Sequence, residues 1–247
     1  HGNNYGSHFD EHFNSIEELT SDFFITWGFQ KQNKKYIRGI MQKKMHKIKS
    51  NKNNLLIMHF PFELRDKAWD NFEDYDTHIK SIENMLKQIK LIKGIKKIIY
   101  RIPNGEHNVK SILYLKKITK KIIFDSYKTK LVNNINNSNL CLFNYNSSGF
   151  YENLSNNIPS LLFINKSYLE EIDKITKKDF LNLHKKNVIH FDVNTLFKFL
   201  SENWENLDEW WFSNDTQKTI NMFNNNNAVR DRNPKKRLID IIKKIIK

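Results

Sequence analysis

The chain of 247 residues has a single cysteine, Cys141, so neither an internal disulfide nor a zinc site of the cysteine type can form. Cys141 lies in an apolar run and is expected in the core. Four prolines and seven glycines are too few for extensive disorder. No apolar run approaches the roughly 20 residues of a membrane-crossing helix. The chain also opens without a basic segment followed by an apolar one, so the expectation is a cytoplasmic protein. H-E-x-x-H is absent, and the pair His8 and His12 beside Asp10 and Glu11 lacks a third ligand, so no metal is expected. G-x-S-x-G, the P-loop and G-x-G-x-x-G are all missing. Serine hydrolases, P-loop kinases and classical dinucleotide dehydrogenases are disfavoured, and no cofactor is expected.

Acidic residues are also scarce. Lys and Arg number 41 against 27 Asp and Glu, a formal charge of +14 with a pI near 9.6. The lysines are spread over Lys31–Lys52, Lys87–Lys97, Lys116–Lys121, Lys174–Lys186 and Lys235–Lys247, and they travel with asparagine. They form no single stripe of the kind that tracks a phosphate backbone, so nucleic acid is not expected as a partner. Attraction to anionic substrates or an anionic membrane surface fits better. Hydrophobic residues make up 39% and aromatics 13%, enough to build a core beneath a lysine- and asparagine-rich surface. The first residues, His1-Gly2-Asn3-Asn4-Tyr5-Gly6, are loop-like and lack an initiating methionine. The expectation is a piece of a longer protein whose N-terminal domain is its partner.

Along the chain, Ile16 to Phe29 suggests a helical turn and a short apolar strand stopped at Gly28. Asn54 to Phe60 reads as a strand, Thr77 to Lys93 as a helix punctuated by Gly94, and Ile98 to Ile102 as a strand. A helix through Val109 to Leu115, a strand Lys121 to Phe124, a helix Tyr127 to Ile135 and a strand Leu140 to Phe143 follow. Beyond them come a strand Ser160 to Ile164, a helix near Tyr168 to Ile172, a strand Val188 to Phe191 and a helix Val193 to Leu207. Strands alternating with helices predict an α/β fold, a doubly wound, mainly parallel Rossmann-like sheet with a helical C-terminal tail. Ligands of such sheets bind beyond the carboxyl ends of the strands. The loops Arg101–Glu106, Asp125–Lys128 and Asn144–Ser148 all fall there.

The segment Leu140 to Phe163, LCLFNYNSSGFYENLSNNIPSLLF, reads as strand, polar hinge, short helix, strand. With Asn146, Ser147 or Ser148 capping the helix, unpaired backbone N–H groups and the positive end of the dipole face the hinge and form a seat for phosphate. The plain alternative is an ordinary capped helix start. Glu152, about one turn in, can accept hydrogen bonds from sugar or ribose hydroxyls. Arg101 ends a strand at the same rim, where a guanidinium can grip phosphate or simply be solvated. Trp210 and Trp211 are expected in a loop as anchors closing the tail onto the domain. Leu238, Ile241, Ile242, Ile245 and Ile246 alternate with lysines, which allows packing on the domain or peripheral contact with a membrane surface.

HGNNYG, SDFFITWGF, RIPNGE, the long segment above, VIHFD and ENLDEWWFSNDTQKTINMF together resemble the C-terminal half of a family of bacterial surface-polysaccharide transferases, the O-antigen and capsule transferases first noted in spirochaetes, GT-B-like in fold. The resemblance implies a metal-independent glycosyltransferase that moves a sugar from a nucleotide-sugar donor to a glycan or lipid-linked acceptor. It carries donor binding to Asn146, Ser147, Ser148 and Glu152 and a catalytic role to His1, and Arg101 and Asn104 at the strand-end rim are expected to bind the donor with them. The family has glycine, threonine and leucine where Asn3, Ser148 and Tyr151 stand; Ser148 keeps the hydroxyl. The implied divisions are an interdomain loop and leading segment at 1–30, a donor-binding α/β domain at 31–208 and a helical tail at 209–247. A polyol-phosphate transferase of the same fold, a sugar-nucleotide epimerase of related architecture and a non-catalytic module for anionic polymer remain alternatives. The protein would work in the cytoplasm, at the inner face of the membrane if peripheral.

Overall fold

A computed structural model of the chain describes residues 16–30, 34–41, 43, 45, 53–59, 75–102, 113, 115–118, 121–125 and 129–246. Six strands form one sheet: β3 (Asn54–Met58), β4 (Lys97–Arg101), β5 (Ile122–Asp125), β6 (Leu140–Phe143), β7 (Ser160–Phe163) and β8 (Ile189–His190). Their spatial order is β5-β4-β3-β6-β7-β8, and every neighbouring pair is parallel. The order reverses between β3 and β6, which makes the crevice at their carboxyl ends the topological switch point. Two further strands, β1 (Phe24–Ile25) and β2 (Tyr36–Ile37), pair in parallel as a separate small sheet after the short helix α1 (Ile16–Thr20).

The three central strands are buried along their whole length, as strands covered on both faces must be. Alternation divides their side chains. Leu55, Ile57, Leu140, Leu142 and Leu161 enter one core, with Ile82, Met85, Leu86 and Ile89 of helix α2 (Tyr75–Ile89) and Leu196, Phe199 and Leu200 of a helix beyond β8. Leu56, Met58, Cys141, Phe143 and Leu162 enter the other. Cys141 is fully buried, as expected. The remaining helices are α3 (Leu131–Asn136), α4 (Ser148–Ser155), α5 (Lys174–Lys185), α6 (Val193–Asn203), α7 (Leu207–Trp211), α8 (Asn214–Asn227) and α9 (Pro234–Ile245).

Several local expectations need correction. Tyr168 belongs to a single 3₁₀ turn, Lys166–Glu170, and the real helix is α5, started by Asp173, whose carboxylate accepts from the amides of Ile175 and Thr176. Trp210 and Trp211 sit in α7 and not in a loop, although they do anchor the tail. Trp211 is fully buried and donates to Asn157 Oδ1 at 2.8 Å, and Trp210 donates to the carbonyl of Lys186 at 2.9 Å. Gly94 does not end α2, which stops at Ile89, and it is not among the residues of positive φ. Its glycine is required by Trp204, because a Cβ there would lie 2.2 Å from Cδ1 of that ring. The helix expected through Val109 lies largely outside the described residues.

The tail returns to the beginning of the chain. The amide of Val229, just beyond α8, donates to the carbonyl of Trp27 at 2.7 Å, and its carbonyl accepts from Met41 at 2.9 Å. Gly28 takes φ +143° directly beneath Val229, where a Cβ would lie 2.6 Å from the valine's Cγ2.

Candidate functional site

The hinge after β6 puts its polar groups to three different uses. Ser147 is the N-cap of α4: its backbone is extended, at φ −128° and ψ 155°, and its Oγ accepts from the amide of Phe150. Asn146 is not a cap. It is buried, its Nδ2 donates to Tyr168 Oη at 2.8 Å, and so it clasps the hinge to the loop that follows β7. Its Oδ1 is buried without a partner, a state that costs about 1–3 kcal/mol where nothing compensates it. Ser148 and Gly149 open the helix, both half-buried, and their amides have no hydrogen-bond partner among the described residues. Gly149 is pressed toward Phe143, where a Cβ would come within 3.1 Å of the ring. Two unused N–H groups and the positive end of the helix dipole therefore lie together just past the carboxyl end of β6, beside the switch point.

Across the rim, Arg101 is neither an open grip for phosphate nor a solvated strand end. The residue is 4% exposed, and its Nη1 donates to Asp125 Oδ2 at 2.5 Å and to the carbonyl of Thr129 at 2.8 Å. The register is responsible, because Arg101 of β4 stands directly opposite Asp125 of β5. Asp125 also accepts from Asn134 Nδ2 and from the amide of Thr129, so one carboxylate ties β4, β5 and α3 together. Arg101 shapes the rim from beneath.

The switch point itself holds a group that sequence reasoning missed. His59 follows β3, is 2% exposed, and its Nδ1 lies 2.8 Å from Tyr100 Oη and 3.4 Å from Asn144 Nδ2. Burial raises the Tyr100 hydroxyl well above its ordinary pKa, so it stays protonated and donates to the imidazole. In the sequence His59 is merely the residue before Phe60-Pro61. Only the strand order, which sets β3 between β4 and β6, shows that it meets Tyr100 and Asn144.

Glu152 lies on α4 with its side chain 16% exposed, and Lys43 Nζ approaches its Oε2 at 2.7 Å. Asn156, one turn on, accepts from the amide of Met45 and donates to the carbonyl of Lys43, so these two residues are fastened at the end of α4. The structure thus gathers Asn146, Ser147, Ser148 and Glu152 on one hinge and helix and places Arg101 beneath the neighbouring rim. His1 and Asn104 lie outside the described residues. Among the described residues no group of three or more His, Cys, Asp or Glu side chains gathers to hold a metal ion.

A six-stranded parallel sheet flanked by helices, with polar hinge chemistry at the carboxyl rim and a helical tail, defines an α/β protein of the doubly wound type. The LIC12162 family transferase profile matches residues 1–242, and the chain belongs to that family of transferases. No curated protein sequence matches it. Among solved structures it is similar to the wall teichoic acid polymerase TagF, with 14% identity and a TM-score of 0.45 over 80% of this chain and 45% of that one. It is also similar to an α,α-trehalose 6-phosphate synthase from Burkholderia multivorans, with 9% identity and a TM-score of 0.40 over 78% of this chain and 43% of the other. The chain spans less than half the length of either.

Proposed function

We propose that this chain is the donor-binding part of a GT-B-like glycosyltransferase of surface-polysaccharide synthesis, working in the cytoplasm without a metal ion. The observation that supports this reading is the pair of unused amides of Ser148 and Gly149 at the start of α4, beside the switch point of a protein in a transferase family. In this reading the diphosphate of a nucleotide sugar rests on those amides. As the bond from the anomeric carbon to the diphosphate oxygen breaks, negative charge grows on the leaving group, and the fixed N–H dipoles stabilise it without reorganising. Glu152 accepts hydroxyls of the ribose or sugar, and Asn146 and Ser147 hold the hinge in shape. The acceptor, a glycan or lipid-linked sugar, is bound mainly by the N-terminal domain, and His1, which opens the interdomain loop of this chain, takes part in the reaction.

The test is calorimetry of the full-length protein against a panel of nucleotide sugars, repeated with Ser148→Asp. A carboxylate in the first helical turn favours the helix but repels a diphosphate. The expected result is binding of at least one donor, lost by about tenfold or more in the variant at unchanged helical content. Equal affinity in the two proteins would refute the seat.

A further inference from the structure

We propose that helix α9 is a membrane-surface anchor that lays an isoleucine stripe into an anionic phospholipid leaflet. The helix reads PKKRLIDIIKKI, is capped by Asn233, starts on Pro234, and carries five basic side chains against one acidic. It meets the rest of the protein on one side only. Ile241 is 6% exposed, and Leu238 and Ile245 flank it half-buried.

Beside that packed side the apolar face continues as an exposed stripe. Ile239, Ile242 and Ile246 are 43%, 40% and 79% exposed. At about 100° per residue, positions i, i+3 and i+7 fall within an arc of roughly 60°, so the three form one line. Single exposed apolar residues are ordinary, but a line of three on one helix is an unpartnered surface. The same helical rotation sets Lys235 within that line and Lys236 and Lys243 along its edge, all exposed. Lysines bordering an apolar stripe can keep their stems against acyl chains while their ammonium groups reach the phosphates.

Charge complementarity selects the occupant. The chain carries +14 overall, and α9 adds its basic excess where the apolar line is exposed, which suits a surface both negative and apolar. Among the described residues no helix is long and apolar enough to cross a membrane, so α9 would lie on the surface. Such an anchor would hold the transferase beside a lipid-linked substrate and concentrate both in two dimensions.

The test is cosedimentation of the full chain with vesicles of phosphatidylcholine alone, or of equal parts phosphatidylcholine and phosphatidylglycerol, at low and high salt. Partition into the anionic vesicles only, weakened by salt, is expected. Ile239→Asp with Ile242→Asp should lower the partition coefficient by about tenfold or more, and Lys236→Glu with Lys243→Glu should do the same, both at unchanged circular dichroism and melting. No partition at low salt would overturn the proposal. So would full binding by the isoleucine variant, which would mean electrostatic adhesion alone. If that variant instead splits a dimer in sedimentation velocity while vesicle binding persists, the stripe covers a second copy of the chain and the proposal fails.

Discussion

Lys43 Nζ lies 2.7 Å from a carboxylate oxygen of Glu152, with the lysine half exposed and the glutamate largely covered. An ion pair so open to water contributes little to stability, within about 1 kcal/mol. Lys43→Ala should therefore leave the denaturant midpoint almost unchanged. If Glu152 receives donor hydroxyls, Glu152→Ala should weaken donor binding by about tenfold or more, the worth of one or two hydrogen bonds to a charged group, at unchanged fold. Calorimetry of the two variants side by side decides. Equal and small effects would make Glu152 only a tether for Lys43.

The pair Arg101 and Asp125 calls for the opposite outcome. Both are buried, and Asp125 is bonded by three groups from β4, α3 and the preceding turn. Asp125→Ala should cost about 3–5 kcal/mol in urea unfolding, because it removes the carboxylate that neutralises a buried guanidinium. Arg101→Met should cost less, since Asp125 keeps Asn134 and the Thr129 amide as donors.

Gly94→Ala should destabilise by about 1–3 kcal/mol, because Cβ and the indole of Trp204 claim the same space. Combining it with Trp204→Phe should give less than the sum of the single effects. A double-mutant cycle by thermal unfolding measures that coupling directly.

His190, 1% exposed at the end of β8, has its pKa lowered to about 4, chiefly because burial disfavours the charged ring. Its Nε2 donates to the carbonyl of Asn187 at 3.0 Å, as the neutral ring can. Below about pH 6.5 the unfolded chain takes up a proton that the folded chain refuses until near pH 4, so stability falls across that window as pH drops. The loss approaches about 3 kcal/mol for this one group, on the order of 1.4 kcal/mol per pH unit of separation. His190→Gln should flatten that part of the profile in urea titrations between neutral pH and pH 4.

The strands β3, β6 and β7 were legible because burial on both faces demands continuous apolar runs such as NLLIM, LCLF and SLLF. Helix α5 was obscured by lysine and asparagine, and α8 was legible only as part of a helical tail, without its bounds. Some of their buried positions are polar: Asn224 donates to the carbonyl of Leu154, and Asn227 donates to Asp179, which burial holds above the usual carboxylate range. No hydrophobic period marks such contacts. At the site, the Ser147 cap is a local event and could be read locally. The commitment of Arg101 to Asp125 depends on the pairing of two strands, and the meeting of His59 with Tyr100 and Asn144 depends on the order of three. Neither is written in any short stretch of residues.

Val229 gives one last consequence. A single residue after α8 donates its amide to the carbonyl of Trp27 and accepts at its own carbonyl from the amide of Met41, over a glycine that leaves room for nothing larger. The tail is thereby riveted beside the small sheet of β1 and β2. A chain clipped before Val229 would lose the two backbone hydrogen bonds that tie Trp27, just after β1, and Met41, beyond β2, to the tail.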